Sequence, residues 1–402
     1  MTLKIDMVQT TALAVIVLYL GESIRNKAPA LKKYCIPSPV IGGLSLAILF
    51  LILRQLGIMT FTLDTTLQNL FMNMFFTTIG FTASLKLLKK SGIPVIAFLG
   101  ISVVLIFLQN IAGIALAKLF NLNALLGLAT GSIPMVGGIG TSGAFGPLLE
   151  KAGVQGATTV AVASATFGMI MGSVIGNPIA KKLIERHDLL KTRETAAYIE
   201  TGIADEAAVS EEADEVRSEN INTAIAQIFL AMGIGTMISY LFEKLGLTFP
   251  PYIGAMFSAA LIRNLSDFTD TFKIPGGEIK VIGDISLSLY LAISLMGLKL
   301  WQLADLALPL IVMLVAQTIL MMLIAYFITF NLMGRDYEAA VLTSGHCGFG
   351  MGATSNAMAN MRALTQQYGP APKAFFIVPL VGSLFIDFFN AGIIVLFMNI
   401  VK

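Results

Sequence analysis

Charged residues are scarce in this chain of 402 residues. Asp, Glu, Lys and Arg make up 12% of the sequence, whereas about 25% is usual in soluble proteins. Hydrophobic residues account for 56%, and the mean hydropathy is +0.82. This shortage of charge excludes an ordinary soluble domain and indicates an integral membrane protein.

Cysteine and histidine are also rare, with two residues of each. Two cysteines cannot build a disulfide framework, and Cys35, Cys347, His187 and His346 lack the spacing of a transition-metal site. The net charge of +2 favours neither nucleic acid nor an acidic partner. We therefore expect no transition metal, no organic cofactor and no nucleic-acid partner.

Long apolar runs are what the sequence has instead of charges. Runs such as 93–117 are apolar throughout, which favours helices over the alternating strands of a barrel. A helix needs about 20 residues to cross the hydrocarbon layer. The sequence therefore predicts an all-α integral membrane protein with about ten transmembrane helices, at roughly 7–24, 36–53, 68–85, 93–118, 157–180, 221–242, 250–263, 281–301, 306–333 and 374–400.

The Lys and Arg residues predict how these helices are oriented. If the N-terminus is outside, 19 of the 26 lie in loops on the cytoplasmic side, where positive residues are normally enriched. The opposite orientation leaves only seven of them there. Both termini are therefore expected to be extracytoplasmic.

The segment 187–219 separates the chain into two parts. It is acidic, has no aromatic residue after Tyr198 and shows no apolar periodicity. We predict a cytoplasmic acidic linker between two halves, 1–186 and 220–402. The missing periodicity disfavours a regulatory domain.

The two halves share a weak internal repeat. The PVIG sequence at 39–42 recurs as PYIG at 251–254, an offset of 212. At an offset of 213, Thr130, Gly137, Thr141, Ser142 and Ala144 recur as Thr343, Gly350, Thr354, Ser355 and Ala357. Each half holds five predicted spans, so the second copy would enter the membrane from the opposite side, as in many transporters. The pattern predicts two five-helix inverted repeats, with chance similarity among apolar helices as the alternative.

Two glycine-rich segments, 123–149 and 338–361, are predicted to be re-entrant, one in each half. Residues 137–146 contain five glycines and residues 345–352 contain four, and each glycine costs a helix about 1 kcal/mol relative to alanine. Breaks at membrane depth would expose N–H groups that attract carboxylates and carbonyls that attract Na⁺. Close packing of small residues between helices is the alternative.

Polar side chains within the predicted spans are the candidates for ion binding. Asp387 lies in mid-span, where an unpaired carboxylate costs about 3 kcal/mol or more. With Asn390 on the same helix face it would offer Na⁺ the hard oxygen ligands that this ion prefers. A protonated structural Asp is the alternative. We predict sodium-binding residues at Asp387, Asn390, Asn110 and Gln317.

Ser142 and His346 suggest a function of another class. The sequence GTSG at 140–143 matches a serine-protease signature, with Ser142 as nucleophile and His346 as base. However, Ser355 repeats the pattern in the other half, and a protease needs only one nucleophile. His346 could instead bind a carboxylate, relay a proton or hydrogen-bond the backbone. We therefore expect the chain not to be an enzyme.

Several longer motifs are more specific, namely GHCGFGMGATSNAMANM at 345–361, SLSLYLAISLMGLKLWQLADLALP at 286–309, FFIVPLVGSLFIDFFNA at 375–391, KKYCIPSPVIGG at 32–43 and ATFGMIMGSVIGNPIAKKL at 165–183. Together they resemble the bacterial sodium/glutamate symporter family, which is related more distantly to the sodium-dependent hydroxycarboxylate carriers. The resemblance covers nearly the whole chain apart from the linker. It implies inverted repeats, a homodimer, and an elevator movement of a domain carrying both re-entrant segments.

The same resemblance implies particular site residues. The family's signature positions fall on Gly137, Gly138, Gly140, Gly345, His346, Gly348, Gly350 and Gly352, and its last-helix polar positions on Asp387 and Asn390. The chain departs from the family at Ile139 and at 353–356, both in the expected pocket. The expected substrate-binding residues are Gly137, Gly138, Gly140, Thr141, Ser142, His346, Gly348, Gly350, Gly352, Thr354, Ser355 and Asn356.

Sodium-coupled import of L-glutamate across the bacterial cytoplasmic membrane is the function that the resemblance implies, with Na⁺ as coupling ion and alternating access as mechanism. A sodium-coupled carrier of another dicarboxylate or amino acid is the alternative. A channel is disfavoured, because inverted repeats with broken helices suit occlusion of a substrate.

Overall fold

The structure is a computed structural model that describes residues 2–34, 36–190, 218–246, 249–301 and 306–401. Within these ranges the regular structure is almost entirely helical, which confirms the predicted class. A small ribbon of two strands, β1 (Thr2–Ile5) and β2 (Thr60–Leu63), was not predicted. The strands pair in parallel, with Thr2 opposite Thr60.

The first half contains α1 (Met7–Lys27), α2 (Pro29–Lys33), α3 (Ser38–Gln55), α4 (Thr66–Thr82), α5 (Leu85–Lys90), α6 (Gly92–Leu119), α7 (Ser132–Met135), α8 (Gly138–Lys151) and α9 (Ala157–Arg186). The sequence explains several of the helix starts. Asp6 and Gln9 form a capping box at α1. Proline lies in the first turn of α2 and α3, where its fixed φ suits a helix.

The second half contains α10 (Ser218–Lys244), α11 (Pro251–Thr269), α12 (Gly276–Met296), α13 (Ala307–Leu332), α14 (Tyr337–Gly350), α15 (Thr354–Tyr368) and α16 (Pro372–Val401). Two of these helices include a π-helical segment, Ile324–Thr329 in α13 and Leu380–Phe385 in α16. Such wide turns often occur at functional sites. The order of long helices, with shorter helices before the last one, is the same in both halves.

Nine helices among the described residues are long and apolar enough to cross a membrane, and the chain is therefore a multi-pass membrane protein. They correspond to nine of the ten predicted spans. The tenth, expected at 250–263, forms the 19-residue helix α11, which is not among the nine. Its second half carries the ion pair Arg263–Asp267, with 3.1 Å between Nε and Oδ1, which lowers its mean hydropathy.

The helices pack in two groups, and each group draws on both halves. Group A consists of α1, α3, α4, α10, α11 and α12, in which α4 lies against α11 and α12. Group B consists of α6 to α9 and α13 to α16, in which α9 lies against α13, α14 and α15. The two groups meet where α8 approaches α12 and where α16 approaches α4 and α11. The first three long helices of each half therefore separate from the remaining ones.

The repeated PVIG and PYIG sequences occupy matching places in the two halves. Each begins the second long helix of its half, α3 or α11. Gly42 lies against the backbone of Val17 in α1, and Gly254 lies against the backbone of Gly235 in α10. Neither position has room for a side chain, so the same residue pattern supports the same close helix crossing twice.

The predicted linker 187–219 lies largely outside the described residues. The last described residues before the gap continue from α9, with the His187 ring 5.3 Å from the ring of Phe330. The assignment of the segment as a linker stays a prediction.

Candidate functional site

Each half contains a pair of short helices separated by a break. In the first half the helices α7 and α8 are separated at Val136 and Gly137, and Gly138 adopts a φ of +60°. In the second half α14 ends at Gly350 and α15 begins at Thr354. With 14 residues each, α8 and α14 are about 21 Å long, which is too short to cross a hydrocarbon layer of about 30 Å.

The two breaks lie against each other. A Cβ atom added to Gly138 would be 2.9 Å from the backbone oxygen of Gly352. The helices that begin here, α8 and α15, have Gly137 and Ala353 at their N-caps, and no side chain of the described residues caps either one. Uncapped helix N-termini present free N–H groups and partial positive charge. Two such ends meeting inside a membrane protein form a candidate site for an anion.

Most of the clustered glycines lie within helices, contrary to the prediction that they mark breaks. The structure confines the interruptions to 136–138 and 351–353. Gly143 lies inside α8, where a Cβ atom would collide with the hydroxyl of Tyr290 in α12. Gly348 lies inside α14, where a Cβ atom would collide with the backbone of Ala357. Close packing of small residues between helices, which was the alternative to a helix break, therefore explains Gly143 and Gly348.

The hydroxyl residues expected to bind substrate fall in different environments. Thr354 donates to the carbonyl of Gly382 in the π-helical segment of α16, at 2.7 Å. Ser355 is exposed at the start of α15. Ser142 is buried and donates to the carbonyl of Gly138, at 2.7 Å, while Thr141 is 6% exposed. The start of α15 is thus the more accessible of the two helix ends.

Asn356 belongs to the wall that supports α15. Its amide donates to the carbonyl of Met169 and to the hydroxyl of Ser173, both in α9 and both at 2.8 Å. Asn360, one turn later, donates to the carbonyl of Gly172 at 2.9 Å. These bonds hold α15 against α9 and fix the position of its N-terminus.

His346 is fully buried between α6 and α13. Its Nδ1 lies 2.8 Å from the hydroxyl of Thr329, and its Nε2 lies 3.5 Å from that of Ser102. The rings of Phe98 and Phe349 pack against it, each with centroids 5.1 Å away. The structure thus gives His346 partners other than Ser142, and it does not form the nucleophile–base pair that a protease requires.

Two glutamines form a buried cluster beside the second break. Gln109 of α6 donates its amide to the carbonyl of Gly350, and Gln317 of α13 donates its amide to the backbone carbonyl of Gln109, both at 2.8 Å. The side-chain oxygens of both glutamines are buried without a hydrogen-bond partner among the described residues. A buried polar group left unpaired costs about 1–3 kcal/mol, so these oxygens need an explanation.

A second buried cluster surrounds Ser132, at the start of α7. The backbone N–H of Ser132 donates to Oδ1 of Asn110, at 2.9 Å, and its carbonyl accepts from Nδ2 of Asn390, at 3.2 Å. The Ser132 hydroxyl and Oδ1 of Asn390 are again buried without a partner in the described part of the chain. Because Asn110 follows Gln109 in α6, the two clusters are neighbours.

The four predicted sodium ligands are therefore only partly brought together. Asn110 and Asn390 share Ser132, whereas Gln317 belongs to the neighbouring glutamine cluster. Asp387 is partly exposed in α16, and no described side chain or backbone group hydrogen-bonds to its carboxylate. It stands two residues after the π-helical segment.

Several residues of this region had no role predicted from the sequence, although Gln109, Asn177 and Ser344 stood out as polar side chains within apolar segments. Gln109 and Tyr290 contribute to it only because α6 and α12 pack on segments distant in sequence; Tyr290 donates to the carbonyl of Gly140 at 2.7 Å. The internal repeat in the sequence did contain a signal for one pair of residues, Asn177 and Ser344. Asn177 accepts from Ser344 at 2.8 Å, and the offset of about 213 relates this pair to the pair of Asn390 and Ser132.

Comparisons with known proteins identify relatives along nearly the whole chain. The sequence model of the family described as sodium/glutamate symporter matches residues 3–370. The chain is 38% identical over 401 residues to sodium/glutamate symporters of Escherichia coli K12 and Shigella flexneri, with 98% of each chain covered. It is 38% identical over 387 residues to that of Haemophilus influenzae, covering 96% of this chain and 95% of the relative. The chain therefore belongs to the sodium/glutamate symporter family.

Proposed function

We propose that this protein imports L-glutamate across the bacterial cytoplasmic membrane, driven by a sodium gradient. The observation that carries the proposal is the meeting of two uncapped helix N-termini at Gly138 and Thr354, in a chain whose relatives are named sodium/glutamate symporters. Glutamate has two carboxylates, and each N-terminus offers free N–H groups to one of them. Backbone carbonyls and the hydroxyls of Thr354 and Ser355 would accept from the ammonium group.

Sodium ions would occupy the two buried clusters on α6. Na⁺ prefers hard oxygen ligands, as Ca²⁺ and Mg²⁺ do. The unpartnered oxygens of Gln109, Gln317, Ser132 and Asn390 supply such ligands without a net charge. We retain Asp387 as a further ligand, because an ionised carboxylate within a span needs a partner. Ion binding would then satisfy the oxygens that the protein alone leaves unpaired.

Alternating access would arise from movement of group B against group A. Each group combines corresponding helices of the two halves, which is the arrangement expected of two five-helix inverted repeats. The broken segments of both halves belong to group B, so an elevator movement would carry the whole site. The breaks would then be the tips of two re-entrant segments, and group A would form the contact between two copies in a homodimer.

Both termini are proposed to be extracytoplasmic. This orientation places the ends of α3 and α12 and the start of α9 on the outer side of the membrane. Glutamate carries one net negative charge, so a single Na⁺ makes transport electrically neutral. Each additional Na⁺ lets the membrane potential contribute about 2.3 kcal/mol per 100 mV. Substrate and Na⁺ together must favour the mobile state, whereas either alone does not.

Uptake into proteoliposomes tests the proposal. We expect labelled L-glutamate to accumulate when Na⁺ is higher outside, and not when choline replaces Na⁺. Unlabelled glutamate should compete better than aspartate, 2-oxoglutarate or citrate. Accumulation without Na⁺ would refute the coupling. Stronger competition by citrate or 2-oxoglutarate would support the alternative, a sodium-coupled dicarboxylate carrier.

A further inference from the structure

A cavity of about 400 Å³ lies between the two helix groups. Group A contributes the ends of α3 and α12 together with β2 and the start of α4, and group B contributes the end of α8 and the start of α9. Ligand pockets for small molecules usually measure about 300–1,000 Å³, so an amino acid and several waters fit. The cavity faces the side predicted to be extracytoplasmic.

Among the described residues that line the cavity, two side chains are positive and one is negative. Arg54 and Lys299 line it, and the Arg54 guanidinium lies 3.7 Å from the ring centroid of Trp301. Glu150 is the carboxylate in the described lining, and one of its oxygens accepts from the backbone N–H of Thr158 at 3.1 Å. An anion in the cavity would therefore meet two cations and a carboxylate that already has a hydrogen-bond donor.

Buried polar groups also point to a ligand. Gln68 and Thr158 line the cavity although they are only 9% and 8% exposed. The Thr158 hydroxyl is buried without a partner in the ranges that the structure describes. The lining thus combines two cations with one hydroxyl donor, that of Thr158, which has no partner among the described residues.

The cavity leads toward the proposed substrate site. Ser294 lines it, and the Ser294 hydroxyl is 3.2 Å from the position of a Cβ atom on Gly143. Gly143 lies five residues beyond Gly138 in α8, which corresponds to about 7.5 Å along the helix axis. The part of the wall formed by Ser294 therefore lies beside α8, about one and a half turns from the N-terminus that we propose for carboxylate binding.

The opposite end of group A is tightly closed. There, Ser84 donates to the carboxylate of Asp267 at 2.5 Å, and Lys86 donates to the backbone carbonyl of Asp267 at 2.8 Å. Asn264 donates to the carbonyl of Ala83 and accepts from the N–H of Leu85, both at 2.8 Å. These contacts join the connection between α4 and α5 to α11, on the side of group A away from the cavity.

We infer that this cavity is an entry site that captures the anionic substrate by its carboxylates, through Arg54 and Lys299, before it reaches the broken helices. The inference rests on the proposed function, because it names where the substrate of that function first binds. Cations lining a low-dielectric cleft raise the local concentration and the association rate of an anion. Arg54 and Lys299 would therefore affect the binding of external substrate, and not the later movement of the loaded protein.

Charge removal tests the inference in proteoliposomes with a fixed Na⁺ gradient. Arg54→Gln and Lys299→Gln should each raise the KM for external L-glutamate about three- to tenfold at low ionic strength and leave kcat within about twofold. The matched control is Lys244→Gln. Lys244 also ends a helix on the same side and contacts an aromatic ring, Tyr240, at 4.7 Å, but it lies outside the cavity. Added choline chloride should shrink the difference, because salt screens exposed charges.

Chemical restoration of the charge gives a second measurement. Lys299→Cys should show the raised KM, and a membrane-impermeant trimethylammonium methanethiosulfonate reagent outside should lower it again. The anionic sulfonate analogue should not lower it. Unchanged KM in both Gln variants, an equal effect of Lys244→Gln, or identical effects of the two reagents would overturn the inference. Absence of sodium-driven uptake by the unaltered protein would instead refute the proposed function.

Discussion

Replacing Gln317 by leucine separates ion binding from stability. The Gln317 amide donates one hydrogen bond, at 2.8 Å, to a helical carbonyl, while its side-chain oxygen is buried without a partner among the described residues. Loss of the hydrogen bond lowers the free energy of unfolding by about 0.5–1.5 kcal/mol, and removal of the unpaired oxygen raises it by about 1–3 kcal/mol. Without Na⁺, the variant should therefore be as stable as the unaltered protein or slightly more stable.

In the presence of Na⁺, the variant should instead be less stable than the unaltered protein, because it binds the ion more weakly. An interaction with a charged group contributes about 1.5–3 kcal/mol, so the half-saturating Na⁺ concentration of glutamate uptake should rise about 10- to 150-fold. The melting temperature in detergent, measured with and without Na⁺, should lose most of its Na⁺-dependent increase. Both quantities come from the same purified protein, and the two measurements check each other.

Gln227→Leu is the matched control. Gln227 has the same chemistry, with an amide that donates to the carbonyl of Lys273 at 3.0 Å and a buried oxygen without a described partner. It lies in group A, away from the broken helices. If Gln317 has a purely structural role, Gln317→Leu would shift the melting temperature equally with and without Na⁺ and leave the half-saturating concentration unchanged. That outcome would refute the assignment of Gln317 as an ion ligand.

Three further perturbations have defined outcomes. Asp387→Asn should raise the half-saturating Na⁺ concentration of uptake more than the KM for glutamate, and unchanged Na⁺ activation would exclude Asp387 as a ligand. Gly138→Ala should abolish uptake without preventing assembly in the membrane. Its φ of +60° costs alanine about 1–2 kcal/mol, and the new Cβ would be 2.9 Å from the oxygen of Gly352. Burial raises the pKa of Glu338, at the start of α14, from 4.5 to about 7. Because the folded state holds this proton more tightly, stability should fall as pH rises from about 4.5 through 7. Glu338→Gln should flatten the plot of melting temperature against pH between about 4.5 and 7. An unchanged plot would show that Glu338 does not cause this pH dependence.

The helices were largely predictable because composition decides them. Nine of the ten predicted spans are long and apolar enough that their hydropathy alone identifies them. The tenth, α11, is a helix as expected but carries Arg263 and Asp267, so its place depends on packing in group A. The strands β1 and β2 were not predicted, because two strands of four residues leave almost no periodic signal.

The candidate site was predictable only in part. Gly138 and Thr354 lie at helix starts within the segments that the sequence identified. The exact breaks were not predictable, because glycine serves both to interrupt a helix and to let helices approach closely, and the sequence does not distinguish the two uses. Gln109 and Tyr290 could not be assigned either. Their role depends on contacts between residues more than 100 positions apart.

The interleaving of the two helix groups has a consequence for biosynthesis. Group A is incomplete until α12, which ends at Met296, has been made, because α4 packs on both α11 and α12. Until α14 is inserted, the buried side-chain amide of Gln109 in α6 lacks its partner, the carbonyl of Gly350. Each unpaired buried group costs about 1–3 kcal/mol. The first half must therefore remain in the membrane as an unfinished set of helices, and neither group can close before the second half arrives.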